Sequence, residues 1–262
     1  MAPEIETTAG DIGRFYDRIA PEYDEMTSLT ERFVQERPFI RLLVERNAVR
    51  TALDAGCGSG FHALLLAELG VEVHAVDVSA AMVERLHRHA GQRGVKVTAV
   101  QTSLDKLRTT IPTGLDAIFC MGNTLAHLLS ADERLRVLGE FAAVLRPGGL
   151  LVAQVLNFQR IMAARQKVQH VREVGDVIFL RSYEYHDPFV EFNIFRLRRQ
   201  RGSITHEVDS VRLLPIYAAD LSAQLEASGF ADIGLHGSIA TDGFVPETSR
   251  DLVVLAHRRT VQ

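Results

Sequence analysis

A chain of 262 residues, 47% hydrophobic and 24% charged, is long enough to bury a large core and of ordinary length for one α/β domain, so no separate second domain is expected. A formal net charge of −4 offers no basic field for nucleic acid or an anionic membrane, and the expected partner is a small molecule. Only Cys57 and Cys120 occur, which speaks against a disulfide framework, and with no signal-like leader or membrane-length apolar run the expected compartment is cytoplasmic.

In chain order, residues 1–48 read as an N-terminal lid with helices. A strand then runs into Leu53-Asp54-Ala-Gly56-Cys57-Gly58-Ser-Gly60, and a helix over 61–69 stops at Gly70. Strand 71–77 leads through Ser79 as N-cap into helix 80–90; Val95–Val100 is a third strand and Leu115–Met121 a fourth. Helix 131–145 stops at Pro147-Gly148-Gly149 before a fifth strand, Leu150–Val155. The α/β rhythm breaks over 157–214, where Val177–Tyr185, Val190–Leu197 and Thr205–Leu213 read as three strands of an antiparallel cap, separated by His186-Asp187-Pro188 and Arg201-Gly202-Ser203. Helix 218–228 ends at Gly229, and strands near 231–239 and 251–257 close the chain as a hairpin-like edge. The pattern predicts a doubly wound, mostly parallel seven-stranded sheet: a core over 49–156, the inserted cap over 157–214, and core again over 215–262.

The segment Leu53–Gly60 reads as a loop for S-adenosylmethionine (SAM). An apolar strand ends in an acid, and alternating glycines allow a tight turn and close approach of backbone to ligand. Asp54 is placed for the ligand's ammonium. Val71–Asp77 alternates and ends in a second carboxylate, placed for the two ribose hydroxyls. A nicotinamide dehydrogenase shares this outline, but Phe61 and His62 stand where a pyrophosphate loop needs small residues.

Other features point more to packing. Phe179, Tyr183, Tyr185, Phe192 and Phe195 read as cap core. Strand alternation splits Arg196 and Arg198 from Arg199, so the cluster closed by Arg201 reads as a solvated strand end. His62, His74, His87 and His89 show no ligand spacing, and no metal is expected. Neither cysteine has a cationic neighbour in view, so both read as packing residues.

The loop, the strand ending Val76-Asp77-Val78-Ser79 with Met82 beyond, and Phe119-Cys-Met-Gly-Asn123-Thr-Leu-Ala-His127-Leu together resemble class I SAM-dependent methyltransferases of the glycine N-methyltransferase kind. The resemblance is best over 50–158 and implies a Rossmann-like methyltransferase sheet and methyl transfer to a small molecule, most readily an amine nitrogen. O- or C-methylation of a phenolic or natural-product acceptor, or a SAM-binding protein without catalysis, are the alternatives. It further implies Gly56 and Gly58 against the methionine part, Asp77 on the ribose, Met82 on the adenine face, Ser103 and Leu104 at the adenine edge, and Arg32 for the SAM carboxylate. Cys57, Gly60, Val78 and Met121 complete the expected cofactor shell. Tyr16-Asp-Arg-Ile-Ala-Pro-Glu-Tyr23-Asp resembles the lid of small-molecule methyltransferases; Tyr16 and Tyr23 would orient the acceptor, with Asn123 and His127 as polar anchors on one face if their segment is helical. Leu156 stands where the glycine enzyme has a carboxylate-binding arginine, so glycine is expected to be a poor acceptor unless Arg160 or Arg181 supplies the cation. The cap is expected to cover the acceptor pocket or to build an oligomer interface.

Overall fold

The computed structural model describes residues 8–200 and 203–260. The first seven residues of the expected lid segment and the Arg201-Gly202 turn lie outside them. α1 (Ala9–Ile19) starts at a capping box in which the Thr8 hydroxyl accepts the amide of Asp11 and the Asp11 carboxylate accepts that of Thr8. A turn of 3₁₀ helix, Ala20–Glu22, leads to the short α2 (Tyr23–Thr27); Ser28, left-handed at φ 56°, turns the chain into α3 (Leu29–Arg46).

The core alternates β1 (Thr51–Ala55), α4 (Phe61–Glu68), β2 (Glu72–Asp77), α5 (Ala80–Arg93), β3 (Thr98–Gln101), α6 (Leu107–Thr110), β4 (Leu115–Cys120), α7 (Ala131–Val144) and β5 (Leu145–Leu156). After α8 (Phe158–Ala164) come β6 (Val168–Val174), β7 (Val177–Tyr185), β8 (Val190–Gln200) and β9 (Ser203–Leu213), then α9 (Ala218–Ala227), β10 (Phe230–His236) and β11 (Asp251–Arg258). Seven strands form one sheet in the order β10-β11-β5-β4-β1-β2-β3, parallel except for β11, which runs antiparallel between β10 and β5. The central strands β1, β4 and the second half of β5 are buried on both faces, which is why they are mostly apolar. Leu53, Ile118 and Leu151 face the layer of α7 and α9, while Ala52, Phe119 and Val152 face that of α3 and α4. Each fully buried Leu, Ile or Phe of this kind contributes about 2 kcal/mol of transfer free energy.

The cap is a four-stranded antiparallel sheet, β6-β7-β8-β9, not the expected three strands. β6 is an edge strand in which charged and polar residues interrupt the valines, so alternation there is weak. The cap core is shared with the lid: Phe179, Ile194 and Val211 pack with Phe15, Ile19 and Met26. Sheet order turns outward from the β1/β4 boundary, and the lid and cap lie over the carboxyl ends of the strands there, the place where open α/β sheets bind ligands.

Candidate active site

A cavity of about 400 Å³ opens at this boundary between loop, lid and the segment after β4. The loop is tied to β2: the amides of Gly56 and Cys57 both donate to the Val76 carbonyl at 2.9 Å. Its glycines do different work. A Cβ at Gly60 would meet Leu86 Cδ1 at 2.2 Å, so that position needs glycine for helix packing; at Gly58, φ +53°, a Cβ would meet nothing closer than the Tyr23 ring at 3.7 Å, across the cavity. The room above Gly58 is what a cofactor needs for close approach to backbone.

Asp77 sits on the cavity wall, 8% exposed. One carboxylate oxygen accepts the Gly58 amide at 2.8 Å and the other the Ser79 amide at 2.9 Å. Burial raises its pKa, and these amides oppose that rise. Asp54 lies deeper, 1% exposed; it accepts the Ala63 amide at 2.8 Å, and burial pushes its pKa up to about 6. It is not on the wall. Arg32 is also on the wall, held by Glu36 at 2.9 Å and by the Phe61 ring, 4.1 Å from its guanidinium carbon. Glu36 also contacts His62 Nε2 at 3.1 Å; burial pulls the Glu36 pKa upward, but His62 and Arg32 outweigh it and the net shift is downward.

Tyr16 and Tyr23, from the N-terminal segment expected to form a lid, line the cavity. The Tyr16 hydroxyl lies 2.8 Å from His127 Nε2, and the three rings stack edge to face in the order Tyr23, Tyr16, His127. Burial pushes His127 down to about 4 and Tyr16 well above 10, the latter aided by Tyr23 and Asp77, so both are neutral at pH 7. His127 Nδ1 is buried without a hydrogen-bond partner.

Of the residues expected from sequence, Tyr16, Tyr23, His127, Arg32, Gly56, Cys57, Gly58, Asp77, Val78, Ser103, Leu104 and Met121 line the cavity together. Asp54, Gly60, Met82 and Asn123 are absent from its lining. Met82 is fully buried among Phe15, Ile19 and Ala20 under the lid. The expectation that Asn123 and His127 share a helical face fails: Asn123 is left-handed at φ 71°, ahead of a 3₁₀ turn at Thr124–His127, and its side-chain oxygen accepts the Leu156 amide at 3.0 Å. Leu156 packs against the main core and is likewise absent from the lining, so the missing arginine there no longer argues against glycine. Cys57 and Cys120 are buried with raised pKa values, as inert packing residues are. Sequence reasoning missed Ile12, Thr27, Thr124 and Arg136, which also line the cavity. His62 was legible only as an obstacle to pyrophosphate.

The lid is seated by its acids. Asp17 accepts from the Ser79 hydroxyl at 2.6 Å and the Ala81 amide at 3.1 Å, Asp24 pairs with Arg85 and, at 3.2 Å, with His89 Nε2, and Glu22 pairs with Arg196 at 3.3 Å and with Arg198. Arg196, expected at a solvated strand end, is 8% exposed and also pairs with Asp209, which holds Arg18 of α1. Arg199, on the other face as alternation requires, pairs with Glu173. Arg181 donates from Nη2 to the Met26 carbonyl at 2.8 Å and has no carboxylate partner among the described residues, while Arg160 is exposed.

Comparison with known proteins agrees with this geometry. Residues 52–149 match the model of a methyltransferase domain. A glycine/sarcosine N-methyltransferase of Halorhodospira halochloris is 30% identical over 209 residues, 74% of this chain and 78% of the relative. A ubiquinone biosynthesis O-methyltransferase of Methylocella silvestris is 38% identical over 105 residues, 40% of this chain and 39% of the relative. The structure of the CcbJ methyltransferase from Streptomyces caelestis superposes with a TM-score of 0.79 at 25% identity, covering 94% of this chain and 98% of that one. With a glycine-cradled cavity that fits its cofactor, this chain belongs to the class I SAM-dependent methyltransferases, enzymes that use S-adenosyl-L-methionine.

Proposed function

We propose that the protein N-methylates a small amine, by in-line methyl transfer under the closed lid. The cofactor, when bound, supplies a methyl group on a positively charged sulfur. Asp77, its carboxylate fixed by two backbone amides, accepts the ribose hydroxyls; Gly56, Cys57 and Gly58 offer backbone to the methionine part, with Met121 beside them. Arg32, braced by Glu36 and Phe61, meets the carboxylate. Val78, Ser103 and Leu104 flank the adenine, while Asp54, Gly60, Met82 and Asn123 hold that wall from behind.

The observation that carries the choice of nitrogen is the neutral Tyr16–His127 pair. A hydroxyl acceptor must lose its proton as it attacks, and an imidazole held near pKa 4 is a weak base for that step. An amine sheds its extra proton to water before the site closes, attacks through the freed lone pair as the thioether leaves, and departs as an ammonium that gives up its proton in solution, so no base is needed in the closed site. When Tyr16 donates to His127 Nε2, its phenol oxygen keeps lone pairs for an amine N–H, which aims the nitrogen while the closed lid keeps water out. The glycine/sarcosine enzyme among the relatives supports the same reading. The O-methyltransferase relative favours a second one, a phenolic acceptor that arrives already ionised.

The test is incubation with labelled SAM and a panel of glycine, sarcosine, larger primary and secondary amines, and catechols. Methylated amines with silent catechols are expected. Label on oxygen alone would overturn the nitrogen assignment.

A further inference from the structure

The turn between α2 and α3 is gripped from the cap by two arginines. Arg181 of β7 donates from Nη2 to the Met26 carbonyl at 2.8 Å, and Arg172 of β6 donates from Nη1 to the Ser28 hydroxyl, two positions further along. Ser28 is the left-handed residue of that turn, and Thr27, between the two gripped positions, lines the cavity. Strand register explains the convergence. Arg172 lies opposite Phe179, which packs with α1 and α2, and two residues along each strand His170 lies opposite Arg181 on the same face. Burial, and then Arg181, Arg172 and the exposed Arg250 just before β11, hold the His170 imidazole below its ordinary pKa, so the four basic groups are within electrostatic reach of one another.

This cluster is short of negative charge. Among the described residues, the one acid within 4.0 Å of any of its arginines is Glu31, at 4.0 Å from Arg172 Nη1 and with its own side chain 68% exposed. Arg181 and Arg172 end instead on neutral oxygens, a carbonyl and a hydroxyl, and each leaves its Nε buried without a hydrogen-bond partner. Arg85 and Arg196 also leave Nε unpaired, but both end on largely buried carboxylates, Asp24 and Asp209. Burial without such a partner lowers the Arg181 pKa. Two poorly compensated guanidiniums at one turn cost stability, and unsatisfied buried donors of this kind mark places where an ion is held.

We propose that His170, Arg172, Arg181 and Arg250 form a binding site for a phosphate-type oxyanion beside the α2–α3 turn. A guanidinium fork matches phosphate oxygens two at a time, and three arginines set against one distant glutamate suit a group that carries close to two negative charges at neutral pH better than a single carboxylate. The anion would tie the β6–β7 edge to Met26 and Ser28 and so fix Thr27 on the cavity wall. The site is separate from Arg32, which stays with Glu36 and Phe61. Free phosphate and a phosphate carried on a small molecule share this chemistry, and the test separates them.

Calorimetry on the full chain decides this, with the cofactor site and Arg32 first saturated by the demethylated product S-adenosylhomocysteine. Inorganic phosphate is titrated at constant ionic strength, with chloride as the control. Wild-type protein is expected to bind one phosphate per chain, and Arg172→Gln to weaken binding about tenfold, as the loss of one charge-assisted pair does. Should that variant fail to fold, Arg250→Gln, at an exposed position, is expected to weaken binding about threefold. Hydrogen exchange at the amides of Met26, Thr27 and Ser28 should slow on addition of phosphate to wild type and not to Arg172→Gln. If 2-aminoethyl phosphate binds like inorganic phosphate, the ligand is the free anion; if it binds more tightly and Arg172→Gln removes the gain, the phosphate belongs to a larger molecule, and either result keeps the site. Absence of saturable phosphate binding up to about 10 mM overturns the proposal. So do variants that bind phosphate as wild type does, or binding that leaves exchange at the turn unchanged.

Discussion

The two walls of the cavity are built by different chemistry. On the core side, carboxylates end on backbone: Asp77 on the amides of Gly58 and Ser79, Asp54 on that of Ala63. On the lid side, Glu22 and Asp24 end on arginine side chains, Arg196 and Arg198 from the cap and Arg85 from α5. Backbone amides at a strand end move only if the sheet does, whereas a guanidinium keeps its side-chain torsions and can release and retake a carboxylate. On the proposed function, the difference suits a fixed wall for the cofactor and a wall that opens for the acceptor.

That comparison breaks first at Asp77. Asp77→Ala removes an anchor from two amides as well as from the cofactor, and at about 1.5 kcal/mol for each charge-assisted bond SAM affinity should fall by at least about 100-fold. Calorimetry measures it; unchanged affinity would remove Asp77 from the cofactor site. Arg196→Ala should act on the other wall. It leaves Glu22 and Asp209 with only the more exposed Arg198 and Arg18, at a cost below the about 3 kcal/mol of a wholly unpaired buried charge, and should lower unfolding stability and kcat while SAM affinity falls far less than for Asp77→Ala. Equal losses of SAM affinity in the two variants would mean that the walls are not separable. Tyr16→Phe is milder: about a tenfold loss of kcat with SAM affinity retained, because only the hydroxyl that meets His127 is gone.

The wall proposed for the cofactor was legible in sequence because it is local. A strand-terminal acid and a glycine loop carry their geometry within a few residues, and Asp77 reaches the wall by strand alternation alone. Met82 was misplaced toward the adenine because an apolar residue one turn into α5 reads alike whether it meets a ligand or the underside of a lid. The acceptor wall is assembled from distant segments. Tyr16 and His127 are 111 residues apart, and only the resemblance brought them together. Arg196 looked solvated because alternation predicts which face a strand residue takes but not that Glu22 would cover it. Asn123 and Leu156 were assigned to the pocket on the resemblance, and the left-handed turn at Asn123 instead sets its side-chain oxygen on the Leu156 amide at the end of β5.

A last test uses pH and two buried groups, His127 on the cavity wall and Asp54 behind it. His127 in the fold has a pKa near 4, below its ordinary 6.5, so between those values the unfolded chain binds the extra proton and His127 makes the protein less stable as pH falls. Asp54, raised from 3.8 to about 6, has the opposite sign: there the folded chain binds the extra proton, and stability falls as pH rises. Over pH 4 to 6 the two slopes oppose each other, each limited to about 1.4 kcal/mol per pH unit. His127→Asn should remove one of them, so its stability relative to wild type should climb as pH drops from about 6.5 toward 4. Asp54→Asn should do the reverse, gaining on wild type as pH rises from about 4 to 6. Denaturant unfolding across that range reads both differences directly. A His127→Asn curve parallel to wild type would mean that the imidazole is not desolvated in the fold, and with it would go the argument that His127 is too weak a base for a hydroxyl acceptor.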